Sequence, residues 1–154
     1  MRKFLLLLGC VSLAGCLGGD TTGVNGTPSD PTTESFAPAL GVNISQMTKV
    51  AVGSEFVYYK DLAVGTGTLL SSPVTVVITY AGYLTNGALF DGAQGVAIPL
   101  AGSVPGFQTG MLGMKEGGER LIVIPSDLGY GSTQVSRIPP NSTLVFDVRL
   151  EQIP

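Results

Sequence analysis

Histidine and tryptophan are absent from this chain of 154 residues, and cysteine occurs only at Cys10 and Cys16, both near the N-terminus. Most zinc sites draw on His and Cys, so they lose their usual ligands here. A Ser, Cys or Thr nucleophile would likewise lack an imidazole base. Charge is scarce: Asp, Glu, Lys and Arg make up 12% of the chain, and the formal net charge is −3. Beyond Arg2 and Lys3 there is no cluster of basic residues interleaved with aromatics, so the electrostatic footprint of a nucleic-acid binder is missing. The acidic residues stand singly among strands and turns, without a spacing that would face two of them together for glycosidase-type chemistry. No metal, cofactor or nucleic-acid partner is expected. Long apolar runs are also few, and the run from Phe4 to Leu13 is too short to cross a bilayer as a helix.

Twenty-two Gly and ten Pro, set against so little charge, suit a compact β-rich fold with many turns. The length fits one domain of about 100 to 150 residues. Arg2 and Lys3, the short apolar run and the small residues after it read as an export signal over residues 1–15. The tetrad Leu13-Ala14-Gly15-Cys16 resembles the lipobox of bacterial lipoproteins. That resemblance implies lipidation of Cys16, with several acyl chains at about 0.8 kcal/mol per buried methylene providing a stable membrane anchor. The expected location is the cell envelope, and Leu17, where Asp often marks inner-membrane retention, favours the outer membrane in a Gram-negative cell.

Residues 16–50 are expected to form the lipidated N-terminus and a flexible tether. From Leu17 to about Pro38 the composition is Gly, Thr, Ser, Asp and Pro, too poor in large apolar residues to offset chain entropy. A coil of about 25 residues spans roughly 25 to 30 Å. The stretch from Ala39 to Val52 carries Leu40, Val42, Ile44 and Met47, and its pattern leaves docking and looseness equally open.

Residues 51–154 are expected to form the domain. Strand patterns begin at Phe56–Asp61 and recur at Val74–Tyr80, where Val74, Val76, Ile78 and Tyr80 share one face. Asn86-Gly87 marks a hairpin turn, followed by a short strand at Leu89–Asp91 and another at Val96–Leu100. Glu119–Pro125 and Thr143–Gln152 complete the set. In the last, Leu144, Phe146, Val148 and Leu150 oppose Asp147, Arg149 and Glu151, as in an antiparallel sheet with one covered and one wet face. Pro105 to Lys115 is the candidate helix: Pro suits its first turn, Phe107, Met111 and Met114 recur at helical spacing, and Gly117-Gly118 ends it. The expected fold is α+β, a curved antiparallel sheet of five to six strands wrapped around one short α-helix.

Several motifs run in order through this domain: Thr79-Tyr80-Ala81-Gly82 with Asn86-Gly87 and Phe90-Asp91; Val104-Pro105-Gly106-Phe107 with Gly113-Met114-Lys115-Glu116-Gly117; Leu128-Gly129-Tyr130-Gly131; and Ile138-Pro139-Pro140-Asn141-Ser142-Thr143-Leu144-Val145-Phe146-Asp147-Val148. From about Phe56 to Ile153 the chain resembles the FKBP family of peptidyl-prolyl isomerases. The resemblance implies an apolar proline site with Tyr80, Asp91 and Tyr130 as catalytic residues and Phe90, Val104, Phe107, Ile138 and Phe146 as substrate-binding ones. Val104 would offer its backbone N–H and Tyr130 its hydroxyl to substrate carbonyls, while Asp91 would bond Tyr80. By period alone Tyr80, Phe90 and Phe146 are core positions. The implied partners are proline-containing unfolded or newly exported polypeptides and macrolide immunosuppressants. The chain departs from the family pattern at Phe107, often Trp, at Ser103, often β-branched, and in lacking the arginine that supports the aspartate. Two other readings remain: a noncatalytic module that holds proline-containing partners in the same cleft, and a structural envelope domain.

Overall fold

The computed structural model describes residues 27–154; the expected signal segment, Cys16 and the first part of the expected tether lie outside them. Six strands form one antiparallel sheet: β1 (Thr48–Val52), β2 (Glu55–Ala63), β3 (Thr75–Leu84), β4 (Leu89–Pro99), β5 (Glu119–Ile124) and β6 (Leu144–Gln152). Their order across the sheet is β1-β2-β5-β6-β3-β4. One helix, α1 (Pro105–Met111), packs against the sheet. Val57, Val76, Ile78, Met111, Ile122 and Leu150 are fully buried between them. Each such side chain contributes about 1.5 to 3 kcal/mol on burial.

The helix is shorter than its sequence pattern. Leu112 turns to extended backbone (φ −58°, ψ 142°) and Gly113 adopts φ +82°, so the chain leaves the helix four residues before Lys115. Glycine inside the helix weakens it, and tertiary contact explains its presence. A Cβ on Gly106 would strike Ile124, and one on Gly110 would fall on Ile122. Bare backbone on that side is what lets α1 lie directly on β5.

Arg120, 3% exposed, ties helix to sheet. Its Nε donates to Asp61 Oδ1 (2.6 Å), and its Nη1 donates to the carbonyls of Gly110 (2.9 Å) and Leu112 (3.0 Å), which the end of the helix leaves open. The guanidinium also lies 3.9 Å from the centre of the Tyr59 ring.

The two short strands expected between Leu89 and Leu100 are one continuous strand interrupted by bulges. Ile78 pairs with Val96 but Tyr80 with Ala93, so β4 carries an extra residue beside Gly95, whose φ is +58°. The Gly95 N–H is held by Thr79 Oγ1 at 3.0 Å. Gly82 then pairs with Asp91 and Tyr83 with Leu89, leaving Phe90 as a second extra residue. Val74, grouped with the inward face by alternation, lies just before β3 and is 42% exposed.

The expected tether is the largest departure. From Ser29 onward the chain is held on the domain rather than free of it. Ser29 N–H donates to Ser126 Oγ (2.9 Å) and Ser126 N–H to Ser29 Oγ (2.7 Å). Ala37 N–H donates to Thr85 O at 2.7 Å. Phe36, Leu40, Val42, Ile44 and Met47 then cover Tyr58, Leu121, Val123 and Val145 on the outer side of the sheet, and Thr48–Val52 joins it as β1. A face expected to be wet is thus dry over part of its length. Of these five side chains Phe36 lies in the run whose composition reads as coil, and the other four settle the stretch from Ala39 to Val52, left open by its pattern, as docked.

Candidate active site

Four aromatic rings converge between α1 and strands β3, β4 and β6. Phe146, 7% exposed, is the hub: its ring centre lies 4.9 Å from that of Phe107, 5.5 Å from Phe90 and 6.3 Å from Tyr80. The Phe90 and Phe107 contacts are edge-on, an arrangement that suits aromatic quadrupoles. The rings do not interlock completely. Between them is a cavity of about 200 Å³ whose walls also include Ile98, Ser103, Val104 and Tyr130.

Phe107 reaches the cavity because it sits in the first turn of α1, and the entry to that turn is fixed from both sides. Gln108 Nε2 donates back to the carbonyls of Ser103 (2.7 Å) and Ala101 (3.2 Å). Val104, in extended conformation, accepts the amides of Phe107 and Gln108 on its carbonyl. Its own N–H has no acceptor among the described residues, which leaves a donor at the cavity wall.

Tyr80 and Asp91 meet across β3 and β4. The Tyr80 hydroxyl donates to Asp91 Oδ2 at 2.7 Å, and Asp91 Oδ1 accepts the Gly92 N–H at 2.9 Å. These two bonds fix the carboxylate that lacks the family's arginine. Burial, then the bond to Asp91 and the nearby charge, push the Tyr80 phenol up to about 12. Tyr80 thus remains a neutral donor throughout the physiological range.

Tyr130 stands on the far rim, 38% exposed. Its turn hangs from Ser126, whose carbonyl accepts both Gly129 N–H (2.9 Å) and Gly131 N–H (2.8 Å). Gly131 needs its left-handed φ of +58°, and its carbonyl accepts the Asn141 N–H at 2.7 Å. The Tyr130 hydroxyl has no hydrogen-bond partner among the described residues.

Seven of the eight expected domain residues, Tyr80, Phe90, Asp91, Val104, Phe107, Tyr130 and Phe146, therefore line one cavity. Ile138 does not. It is 4% exposed, packs in the main core, and exchanges backbone hydrogen bonds with Val135. Ile98 was not anticipated, although the alternation of Val96, Ile98 and Leu100 carried the signal. Cys16 lies outside the described residues.

A wider cleft of about 680 Å³ adjoins this cavity: it shares Tyr80, Phe90 and Asp91 with it and continues over Tyr83, Gln94, Glu119, Arg137, Asp147 and Arg149. Its mixed charges, and the absence of Phe107 and Phe146 from its lining, make the smaller cavity the candidate site. Among the described residues no group of His, Cys, Asp and Glu is arranged to hold a metal ion.

Known proteins are similar to this chain in sequence and fold. FkpA of Escherichia coli K12 is 39% identical over 121 residues, covering 76% of this chain and 42% of that protein. Mip of Chlamydia trachomatis serovar D is 40% identical over 96 residues, covering 60% and 39%. The chain thus spans less than half the length of either relative. The crystal structure of E. coli FkpA superposes with a TM-score of 0.62 at 37% identity, over 70% of this chain and 53% of that one. The family model for FKBP-type peptidyl-prolyl cis-trans isomerases matches residues 70–151, a span that holds every residue lining the aromatic cavity, and the chain belongs to that family.

Proposed function

We propose that the protein is a peptidyl-prolyl cis-trans isomerase that works on exported polypeptides from a lipid anchor at Cys16. The observation that carries this reading is the open aromatic cavity with two uncommitted donors, Val104 N–H and Tyr130 O–H, on its walls.

An X-Pro amide is planar because nitrogen lone-pair density is delocalised into the carbonyl, and rotation costs ~18 to 20 kcal/mol. Twisting ends that delocalisation and leaves a less polar amide. Water favours the charge-separated planar form. Moving the bond among Tyr80, Phe90, Phe107 and Phe146 removes this solvation and narrows the gap to the twisted form. A proline ring seated against Phe107 and Phe146 places flanking carbonyls near the Val104 and Tyr130 donors. Those donors favour the rotated geometry by binding it better than the planar one. Tyr80, tied to Asp91, holds that wall in place. Lowering the barrier by about 4 kcal/mol gives roughly a thousandfold acceleration, with no acid, base, metal or covalent intermediate.

The substrates are X-Pro bonds in unfolded or newly secreted chains, for which slow isomerisation limits folding. The same apolar cavity suits macrolide immunosuppressants. The lipobox-like tetrad before Cys16 supports a position at the cell envelope, facing the periplasm from the outer membrane in a Gram-negative cell or on the outer face of the cytoplasmic membrane otherwise. Labelled palmitate incorporation that survives Cys16→Ser would refute the anchor.

The activity is tested by isomerisation of a proline tetrapeptide with the purified protein, its Phe107→Ala variant and a rapamycin titration. Acceleration that falls in the variant and under rapamycin supports the reading. Peptide binding without acceleration refutes it in favour of a noncatalytic module.

A further inference from the structure

Residues 27–47 do more than cover the outer face of the sheet. They reach both feet of the loop that joins β5 to β6, the loop on which Tyr130 stands, and pin the first of them. At the first foot, Ser126 is fully buried and Ser29 is 8% exposed, and the two exchange reciprocal amide-to-hydroxyl hydrogen bonds of 2.9 and 2.7 Å across 97 residues of sequence. Ser126 is the residue whose carbonyl accepts both Gly129 and Gly131 amides, one on each side of Tyr130. With its amide and hydroxyl held by Ser29 and its carbonyl by the turn, Ser126 has one orientation available. At the second foot, Glu34 lies beside the buried Thr143 hydroxyl. Neither Glu34 Oε2 nor Thr143 Oγ1 completes a hydrogen bond among the described residues, so the Ser29–Ser126 pair is the better-made attachment.

We propose that this segment is a strap that positions Tyr130 at the rim of the cavity, with Ser29 acting through Ser126 as a positioning residue for the isomerase reaction. The physical reason is entropy. Tyr130 is 38% exposed and its hydroxyl has no hydrogen-bond partner among the described residues, so the placement of its ring depends on the turn that carries it. A surface turn between glycines samples many conformations, and each one frozen beforehand by the strap need not be frozen during the reaction. The kinetic part of this inference rests on the isomerase reading; the structural part does not.

Two measurements on the full chain test it. The first is amide hydrogen exchange in wild type and Ser29→Ala. Removing one member of a buried reciprocal pair is expected to speed exchange at Gly129 and Gly131 about tenfold, while the β5–β6 ladder amides stay as they were. The second is kcat/KM for a proline peptide in Ser29→Ala, Tyr130→Phe and the double variant. Ser29→Ala is expected to lower kcat/KM about three- to tenfold, chiefly in kcat, and to have almost no further effect once the Tyr130 hydroxyl is gone. Ser29→Thr keeps the hydroxyl and is expected to restore both readouts. Unchanged exchange at Gly129 and Gly131 overturns the proposal. So does an equal kinetic loss in the Tyr130→Phe background, or a rise in exchange spread evenly over the ladder. If wild type shows no turnover, the isomerase reading falls while the exchange measurement still decides the strap.

Discussion

Gly82 sits on β3 directly behind the cavity, and a methyl group placed there would meet the rings that form it. An ideal Cβ on Gly82 falls 2.6 Å from Phe90 Cζ, 2.7 Å from Phe90 Cε2 and 2.9 Å from Phe146 Cε1. Ordinary carbon contact is about 3.5 Å, so the Phe90 ring must retreat by about 0.9 Å and Phe146 by about 0.6 Å. Phe146 packs edge-on against Phe107, so it has little room to yield without moving α1. Overpacking of this kind costs about 1 to 3 kcal/mol, and the lower chain entropy of alanine in the unfolded state returns about 0.4 to 1 kcal/mol. The net expectation for Gly82→Ala is a loss of about 1 to 2 kcal/mol and a fall in Tm of roughly 4 to 12 °C. The kinetic cost is larger in proportion. A shift approaching 1 Å in the cavity wall is expected to reduce kcat/KM by about ten- to a hundredfold. Gly102 provides the control, since it lines the cavity itself and a Cβ there meets nothing within 4 Å. Thermal unfolding and a proline-peptide assay on Gly82→Ala and Gly102→Ala in parallel separate crowding from mere loss of glycine. Equal effects of the two substitutions, or full activity in Gly82→Ala, would refute the placement of the rings.

Tyr130→Phe removes an uncommitted hydroxyl from an exposed ring, so Tm should stay within about 1 °C while kcat/KM falls roughly two- to tenfold, the worth of one hydrogen bond; a large stability loss would show that the hydroxyl serves the fold. Arg120→Leu strips the carbonyls of Gly110 and Leu112 of their donor and leaves Asp61 unpaired, and an unfolding titration is expected to show a loss of about 3 kcal/mol. For Tyr80 the folded phenol is raised by burial to about 12 from an ordinary value of 10. The folded state therefore holds its proton longer than the unfolded chain, and the associated stability is complete below pH 10 and is lost as pH rises toward 12. Tyr80→Phe should flatten the pH dependence in that window relative to wild type, and an unchanged slope would contradict the raised phenol. Because burial is the leading cause of the shift, Asp91→Asn should lower the Tyr80 value without returning it to 10, as read by ultraviolet titration.

Local pattern was enough for most of the framework. Val76 and Ile78 on β3, and Leu144, Phe146, Val148 and Leu150 on β6, are buried as period-two alternation requires, because a pleated strand has only two faces. Pro105 opens the helix where its fixed φ predicts, whereas the helix ends before the left-handed Gly113, four residues ahead of the expected stop at Gly117-Gly118. The ordered motifs then named seven of the residues that share the cavity.

Phe90 and Asp91 mark the limit of that reasoning. Neighbours on a regular strand point to opposite faces, yet both line the cavity, because the extra residues beside Gly95 and at Phe90 reset the phase of β4 against β3. A bulge depends on which strand the chain pairs with, and pairing is a tertiary fact. The same holds for Ile138, packed in the main core, and for Gly106 and Gly110, which weaken a helix on their own and permit its contact with β5. The strap shows it most strongly. Ser29 and Phe36 stand in a run whose composition predicts coil, and composition measures only what a segment can bury against itself. What those residues bury is a face built by strands from the other end of the chain. By itself the sequence determined most of the strands, the hairpin turn and the chemical character of the pocket; the folded structure alone decided the pairing of β1, the continuity of β4 and which side chains meet, because contacts across nearly a hundred residues leave no periodicity to read.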